Sequence, residues 1–160
     1  VDESPPLRGA RKQARLTADL AWLAREARVF RLAGIYGPGR SPIDRVRGGK
    51  AHRIDLPGQV FSRIHVDDIE SAVVAGFDGP PGAYNICDDE PAEQRTVTEE
   101  AALLAGVEPP PLQTIEEAGL SEMARSFYAQ NRRVSNRKAK RVLGWEPLYP
   151  TYREGLRSLV

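Results

Sequence analysis

The sequence predicts an α/β fold, because an amphipathic helix, an apolar strand and a glycine turn follow one another near its beginning. The composition agrees with this class. The chain has 160 residues, of which 41% are hydrophobic and 28% charged, as is typical of a globular domain with its own core. Its 14 glycines and 13 prolines indicate many turns between short elements.

Charge and cysteine content narrow the function classes. Lys and Arg number 23 against 22 Asp and Glu, and this balance gives no global case for nucleic acid or membrane as a partner. No apolar run approaches the roughly 18–20 residues of a membrane span, so we expect a cytoplasmic protein. With one cysteine, Cys87, two histidines and no Cys-x-x-Cys pair, we predict no metal site. We interpret Cys87 as a buried small hydrophobic residue.

The first helix is predicted over Arg11 to Arg28. Its polar residues Arg15, Asp19 and Glu26 lie away from the apolar face. The inward-facing residues recur at helical spacing: Leu16, Leu20, Leu23 and Ala27.

Two strands are predicted next. The segment from Val29 to Tyr36 is mostly apolar without clean alternation, as expected of a strand covered on both faces. A Gly37-Pro38-Gly39 turn ends it. The second strand is predicted over Gln59 to Val66.

A helix is predicted from Asp67 onward. Asp67 and Glu70 resemble a capping box, so we assign Asp67 as the N-cap, and we expect Asp68 to be a first-turn acid favourable to the helix dipole. A short strand over Ala83 to Cys87 follows a Gly-Pro-Pro-Gly turn. The residues expected to face inward are Ile69, Val73, Gly76 and Phe77.

The remainder of the chain is predicted to be mainly helical. Thr-x-x-Glu pairs begin three helices, a further helix covers Ser135 to Leu143, and glycines end two of the four. The pairs are Thr96 with Glu99, Thr114 with Glu117 and Thr151 with Glu154, and the glycines are Gly106 and Gly144.

Four stretches of the sequence are informative as an ordered set. They are Phe30-Arg31-Leu32-Ala33-Gly34-Ile35-Tyr36-Gly37-Pro38-Gly39-Arg40, Arg63-Ile64-His65-Val66-Asp67-Asp68-Ile69, Tyr84-Asn85-Ile86, and the tail from Ser135 to Pro147 with Arg153-Glu154-Gly155-Leu156. In this order they resemble the C-terminal half of an extended short-chain dehydrogenase, the NAD(P)-dependent epimerase/dehydratase family. The resemblance covers nearly the whole chain.

This resemblance implies the C-terminal part of a Rossmann-like parallel sheet with a small, mainly helical substrate domain. Residues 1–40 and 58–87 are assigned to the Rossmann-like part, and residues 41–57 and 88–160 to the substrate-binding part. No Gly-x-Gly-x-x-Gly occurs in the sequence, so the pyrophosphate-binding loop of the dinucleotide-binding half either lies upstream of this chain or is absent. The opening residues also lack an initiator methionine, which agrees with a chain cut from a longer polypeptide.

The family's Tyr-x-x-x-Lys pair is missing. The natural alignment puts Arg11 at the tyrosine position and Arg15 at the lysine position. A permanently protonated arginine cannot replace a phenol as a proton shuttle, although Arg15 could hold a ribose hydroxyl or a phosphate. We therefore assign no catalytic residue.

The resemblance implies that NAD or NADP meets the strand at Leu32, Ala33, Gly34 and Ile35, where the alternative is that these residues are simply core. It implies that Gly34, Tyr36, Arg40 and Arg63 line a pocket for a phosphorylated or nucleotide-linked substrate. Arg63 matches an arginine that reaches the substrate diphosphate in sugar-nucleotide members, and its alternative is a strand-edge salt bridge.

Two further groups have plain structural interpretations. We interpret His65 as orienting the loop beside the Asp67 cap, without a catalytic role. The segment from Arg132 to Arg141 holds six basic residues and no acid, and we interpret it as a solvated helix face, with RNA binding as the alternative.

The expected function is that of a fragment of an NAD(P)-dependent epimerase/dehydratase-like oxidoreductase acting on a sugar nucleotide or a related small molecule. We expect the fragment to be inactive without its N-terminal half, and the complete protein to form a homodimer through the Arg11 to Arg28 helix. The alternative is a catalytically silent NAD(P)- or ligand-binding sensor or scaffold of the same fold.

Overall fold

The computed structural model describes residues 1–3 and 13–160. Helices and short strands alternate along the chain. The helices are α1 (Gln13–Leu23), α2 (Pro42–Arg47), α3 (Val66–Gly76), α4 (Gln94–Ala105), α5 (Glu122–Tyr128), α6 (Arg137–Leu143) and α7 (Tyr152–Arg157). The strands are β1 (Arg28–Leu32), β2 (Gly34–Tyr36), β3 (Arg53–Ile54), β4 (Val60–Phe61), β5 (Arg63–His65), β6 (Gly82–Ile86), β7 (Ala92–Glu93) and β8 (Leu112–Gln113).

Two parallel strand pairs form the centre of the fold. Strand β1 pairs with β6, from Arg28 opposite Gly82 to Leu32 opposite Ile86, and β2 pairs with β5. The Asp88 backbone N–H donates to the Arg63 carbonyl at 2.7 Å, which links the end of β6 to β5 and so joins the two pairs. The predicted strand over residues 29–36 is thus divided at Ala33, because its two halves pair with different partners. Parallel pairing confirms the predicted α/β class.

The prediction that this strand is covered on both faces is wrong. Leu32 is 41% exposed and Ile35 is 39% exposed, and Gly34 between them is also exposed. Only Tyr36 at the end of β2 is buried. Within this chain the apolar residues of the segment are therefore only partly covered.

Two clusters of buried side chains make up the core of the described residues. One packs the end of β2 against α2, α4 and α7, and the other packs β5 and β6 against α3 and α6. The first contains Tyr36, Ile43, Ala92, Val97, Ala101, Tyr152 and Leu156, and the second contains Ile64, Ala72, Tyr84, Ile86, Ala139 and Trp145.

Helix α1 is shorter than predicted, and a different face is buried. It ends at Leu23, and Arg28 belongs to β1. Asp19, which we placed on the polar side, is buried, whereas Leu20 is exposed. The cause is Arg31 of β1, whose Nη2 atom lies 2.6 Å from Asp19 Oδ2 and draws the carboxylate inward.

The assignment of Asp67 as N-cap of α3 is also wrong. The cap is His65, whose Nδ1 accepts the Asp67 backbone N–H at 3.2 Å. The buried positions of α3 are Asp68, Ala72 and Gly76. Asp68 is a first-turn acid of α3, as predicted. It is also buried, and its Oδ1 accepts the backbone N–H of Leu148 at 2.5 Å.

The predicted inward face of α3 fails at two residues. Phe77 is 71% exposed and Val73 is exposed as well. The face of α3 at Gly76 is covered instead by Phe30 of β1, whose ring lies so close to Gly76 that a Cβ atom there would overlap it.

Some of the predicted helix caps are present in the structure and others are not. Thr151 and Glu154 form the predicted capping box, and Gly106 and Gly144 end α4 and α6 with positive φ angles of 68° and 63°. Thr96, however, lies inside α4, which begins two residues earlier at Gln94.

Elsewhere the helices differ from the prediction in extent. Thr114 and Glu117 exchange the reciprocal hydrogen bonds of a capping box, but only turns follow them. Helix α6 begins at Arg137 rather than Ser135. Two helices, α2 with its Ser41 cap and α5, were not predicted.

Candidate functional site

The two parallel strand pairs follow one another along the chain direction. Strands β1 and β6 end at Leu32 and Ile86, whereas β2, which begins two residues later at Gly34, and its partner β5 end at Tyr36 and His65. In open α/β sheets ligands bind in the crevice outside the carboxyl ends of the strands. The predicted cofactor residues 32–35 lie at the junction between the two pairs.

The strand residues predicted to meet the cofactor form an accessible ridge. Within this chain Leu32, Gly34 and Ile35 are exposed and Ala33 is half-buried. A Cβ atom at Gly34 would lie 3.3 Å from the Ser62 carbonyl oxygen. Because glycine has no side chain, the backbone is accessible in the middle of this ridge. Contact with NAD or NADP stays a prediction.

Arg15 lies on the exposed surface of α1, one turn before Asp19. Because Asp19 pairs with Arg31, the helix carrying Arg15 is fastened to the strand that carries Leu32. Arg11, the residue at the missing tyrosine position, lies outside the described residues. The role of Arg15 toward a ribose or phosphate is untested and stays a prediction.

Three of the four predicted substrate residues are neighbours across β2 and β5. Gly34 is in register with Arg63, and Tyr36 is in register with His65. Arg40 lies beyond the Gly37-Pro38-Gly39 turn, whose Gly39 has a φ of 71°, and its side chain is exposed. The turn itself is confirmed by the Arg40 backbone N–H, which donates to the Gly37 carbonyl at 3.0 Å.

The Arg63 guanidinium is buried among neutral acceptors. It donates to the Phe61 carbonyl at 2.8 Å, the Ala92 carbonyl at 3.0 Å and the Gln94 side-chain oxygen at 3.2 Å. Within residues 1–3 and 13–160 no carboxylate is within ion-pair distance of it, so the alternative of a strand-edge salt bridge is wrong, and its contact with a substrate stays a prediction. Arg63 joins β4 to β7 from beneath, and burial lowers its pKa.

Sequence reasoning missed a carboxylate directly after β6. Asp88 is almost fully buried, and burial raises its pKa to about 7, while Arg63 nearby acts in the opposite direction. Tyr36 is buried beside it, and burial together with the Asp88 charge raises the pKa of the phenol. The available signal was an acidic pair, Asp88-Asp89, placed immediately after a buried strand.

The structure also places Cys87 and the basic segment from Arg132 to Arg141. The Cys87 thiol is buried, donates to the Val134 carbonyl at 3.4 Å and has its pKa raised to about 12 by burial. In the basic segment, Lys138 donates to the Ala83 carbonyl at 2.7 Å and Lys140 pairs with Asp89 at 2.9 Å. These two lysines fasten α6 to the sheet, and the exposed side chains of the segment include Arg133, Arg137 and Arg141.

The described residues contain neither a cluster of metal ligands nor a helix that could span a membrane. Across residues 1–3 and 13–160, no group of three His, Cys, Asp or Glu side chains is arranged to hold a metal ion. None of the helices described above has the length and apolar character needed to cross a bilayer.

Comparison with known proteins relates the chain to larger enzymes. No family model matches it. It is 31% identical over 151 residues to the 3-diazoavenalumate denitrifying reductase of a Streptomyces species, an alignment that covers 88% of this chain and 47% of the reductase. The chain thus spans about half the length of this curated relative.

Solved structures agree over almost the whole chain. A functionally unknown conserved protein from Silicibacter pomeroyi superposes with a TM-score of 0.89 at 48% identity, covering 99% of this chain and 58% of that one. The dTDP-glucose 4,6-dehydratase of Bacillus anthracis, solved in complex with NAD, superposes with a TM-score of 0.74 at 22% identity, covering 99% and 53%. This chain has the fold of the C-terminal half of an extended short-chain dehydrogenase. The Rossmann-like fold class expected from the sequence motifs is confirmed.

Proposed function

We propose that this chain is the substrate-binding half of an NAD(P)-dependent oxidoreductase of the epimerase/dehydratase type. The observation that carries the proposal is the exposed apolar ridge at the junction of β1 and β2, where Leu32 and Ile35 are exposed on either side of Gly34. Exposed apolar residues in a strand of an α/β sheet are suited to contact a flat ligand or a second protein layer. In this proposal, residues 1–40 and 58–87 complete the Rossmann-like sheet, and residues 41–57 and 88–160 hold the substrate.

The other half of the binding site is assigned to an N-terminal dinucleotide-binding half. The chain lacks the glycine-rich pyrophosphate loop and spans about half of the relatives it matches. Strand β1 pairs with β6, and no further strand partner of β1 is found among the described residues, so its second edge is available for another strand. We infer that the N-terminal half adds its sheet at this edge.

The ridge fits the nicotinamide end of the cofactor. The absence of a side chain at Gly34 lets a planar ring approach the backbone, and Leu32 and Ile35 supply apolar contact on either side. Arg15 is assigned to a ribose hydroxyl or phosphate from α1. When bound, the dinucleotide supplies hydride transfer, and the residues of this chain orient it and exclude water.

The substrate is proposed to be a sugar nucleotide or a related small molecule, held on the β2 and β5 side of the ridge. Gly34 and the exposed Arg40 are placed for direct contact, and Arg40 suits an anionic group. Tyr36 and Arg63 are buried, so their contribution is to support this surface from beneath. Two similar proteins support this proposal. The structure with the same fold is a dTDP-glucose 4,6-dehydratase, whose name includes a sugar nucleotide, and the Streptomyces relative is named a reductase.

The second candidate function is a catalytically silent ligand sensor or scaffold. It is favoured by one observation, the absence of a Tyr-x-x-x-Lys pair anywhere in the sequence. The two candidates differ in hydride transfer. An active enzyme oxidises bound NADH or NADPH when a suitable substrate is added, whereas a sensor binds the dinucleotide and leaves it reduced.

We expect Ile35→Glu in the complete gene product to weaken NADH or NADPH binding at least about tenfold, because a carboxylate placed on the ridge repels the cofactor and disrupts its apolar contact. Isothermal titration calorimetry measures this. The matched control is Leu103→Glu, which changes an apolar residue that is 75% exposed on α4. Equal affinity in both variants, or no dinucleotide binding by the parent protein, would overturn the proposal.

A homodimer is also proposed, formed through α1. Leu20 and Trp22 are exposed on this helix, and aromatic and aliphatic side chains of this kind are typical interface residues. Sedimentation of the complete gene product at micromolar concentration is expected to give a dimer mass, and Leu20→Asp with Trp22→Asp is expected to give a monomer. Dimers that persist in the double variant would place the interface elsewhere.

A further inference from the structure

The ion pair between Asp19 and Arg31 joins α1 to β1. Arg31 Nη2 lies 2.6 Å from Asp19 Oδ2. The Nη1 atom of the same guanidinium donates to the Glu3 carbonyl at 3.0 Å, and the Glu3 carboxylate in turn accepts the Asn85 backbone N–H of β6 at 2.8 Å. One side chain of β1 therefore holds both α1 and residue 3 against the sheet.

Helix α1 has little other attachment to the rest of the chain. Asp19 is the one residue of α1 that is buried. The apolar residues of the helix are half-buried or exposed, and Leu20 and Trp22 are more than half exposed. The place of α1 on the sheet therefore depends mainly on the ion pair that Asp19 makes with Arg31.

A buried ion pair supplies direction more than it supplies stability. The attraction between its charges is largely offset by the free energy of dehydrating them, so an apolar pair of similar volume would hold the helix about as well. The charged pair differs in its geometry, because a guanidinium meets a carboxylate along fixed hydrogen-bond directions. The pair of Asp19 and Arg31 therefore sets the rotation of α1 and its height along β1.

The height of α1 decides where Arg15 lies. A short turn over residues 24–27 connects α1 to β1, so the helix and the strand run in opposite directions. Arg15 lies one turn before Asp19 on the same side of the helix, about 6 Å along its axis. Two residues of a strand span about the same distance. Arg15 is therefore level with Ala33, two residues beyond Arg31 and within the ridge.

We propose that Arg31 is a positioning residue of the cofactor site, which holds α1 through Asp19 so that Arg15 reaches a ribose hydroxyl or phosphate of the dinucleotide. This inference rests on the proposed function, because it requires the cofactor to lie at residues 32–35. Arg31 does not itself contact the cofactor in this arrangement, since its Nη atoms are taken by Asp19 and Glu3. The Arg15 side chain is exposed and so accessible to a ligand.

The test measures NADH and NADPH binding by the complete gene product in which Asp19→Ala is combined with Arg31→Met. This double variant keeps an uncharged contact between α1 and β1 but loses its direction. We expect its melting temperature to stay within about 4 °C of the parent. We expect its Kd for the dinucleotide to rise at least about fivefold, because the charge-assisted contact of Arg15 is misplaced. A merely structural contact would recover affinity together with stability. Thermal unfolding and isothermal titration calorimetry give the two quantities.

A further substitution tests the route through Arg15. Arg15→Ala is expected to raise the Kd about tenfold in the parent and much less in the double variant, where the contact is already lost. The matched control is Arg25→Ala, which removes an exposed arginine beyond the other end of α1. Its effect on the Kd is expected to be small in both backgrounds.

Two results would overturn the positioning role of Arg31. One is an unchanged Kd in a double variant that melts with the parent, and the other is an equal effect of Arg15→Ala in both backgrounds. If the double variant does not fold, Arg31→Lys takes its place, because lysine keeps the charge but lacks the planar fork, and an unchanged Kd is again decisive. A parent protein that binds no dinucleotide would overturn the proposed function itself, and this inference with it.

Discussion

Replacing Asp19 by alanine is expected to lower the free energy of unfolding by about 3–5 kcal/mol, the cost of leaving one partner of a buried ion pair alone. Asp19 is 7% exposed and its partner Arg31 is 16% exposed, with 2.6 Å between Oδ2 and Nη2. Without the carboxylate, the guanidinium keeps its burial and loses its counter-charge. Chemical denaturation followed by tryptophan fluorescence measures the change.

The double variant Asp19→Ala with Arg31→Met is expected to recover most of this loss, because an apolar pair of similar volume has no charge to dehydrate. Asp78→Ala removes an exposed carboxylate and is expected to change stability by less than about 0.5 kcal/mol. A loss for Asp19→Ala no larger than that of Asp78→Ala would show that the pair contributes nothing and that α1 is fastened in another way.

Replacing Asp88 by asparagine is expected to change how stability depends on pH. Burial raises the pKa of Asp88 from 3.8 to about 7, against the effect of Arg63, and the neighbouring Asp89 adds to the rise. Between these two values the unfolded chain has released a proton that the folded chain still binds, so the parent protein loses stability as pH rises from about 4 to 7. The loss is complete above the folded pKa.

Asparagine has no carboxyl proton to release, so the Asp88→Asn variant does not lose this part of its stability as pH rises. From pH 4 to pH 8, the difference in unfolding free energy between variant and parent is expected to move in favour of the variant by up to about 4 kcal/mol, since each pKa unit corresponds to about 1.4 kcal/mol. Urea denaturation at both pH values measures this difference, and exposed carboxylates cancel because both proteins share them. Asp78→Asn serves as the exposed control. A difference that is independent of pH would mean that Asp88 titrates as it does in the unfolded chain.

Motifs in the sequence were enough to recognise the fold, whereas the burial of single residues was not. The ordered stretches around Tyr36, His65 and Asn85 correctly predicted a partial Rossmann-like sheet. Asp88 lies two residues beyond the nearest of these stretches, and nothing in the local pattern indicates that its carboxylate is buried. Phe77 shows the opposite error, because an apolar residue at helical spacing turned out to be exposed.

Features determined by the sequence itself are those made by residues within about four positions of each other. The turn at Gly37-Pro38-Gly39, the cap formed by Thr151 and Glu154, and the left-handed end of α6 at Gly144 are of this kind. In each, the backbone conformation and the hydrogen bonds depend on the local residue types alone. They could therefore be predicted without a structure.

Only the tertiary structure decided which polar groups are buried and which strand faces are open. Asp19 is buried because of Arg31, and Asp68 because of the Leu148 amide 80 residues later. The predicted strand is divided at Ala33 because its two halves pair with segments separated in sequence. Whether a residue is buried depends on the partners that the fold brings to it. The sequence pattern around the residue does not reveal partners so distant along the chain.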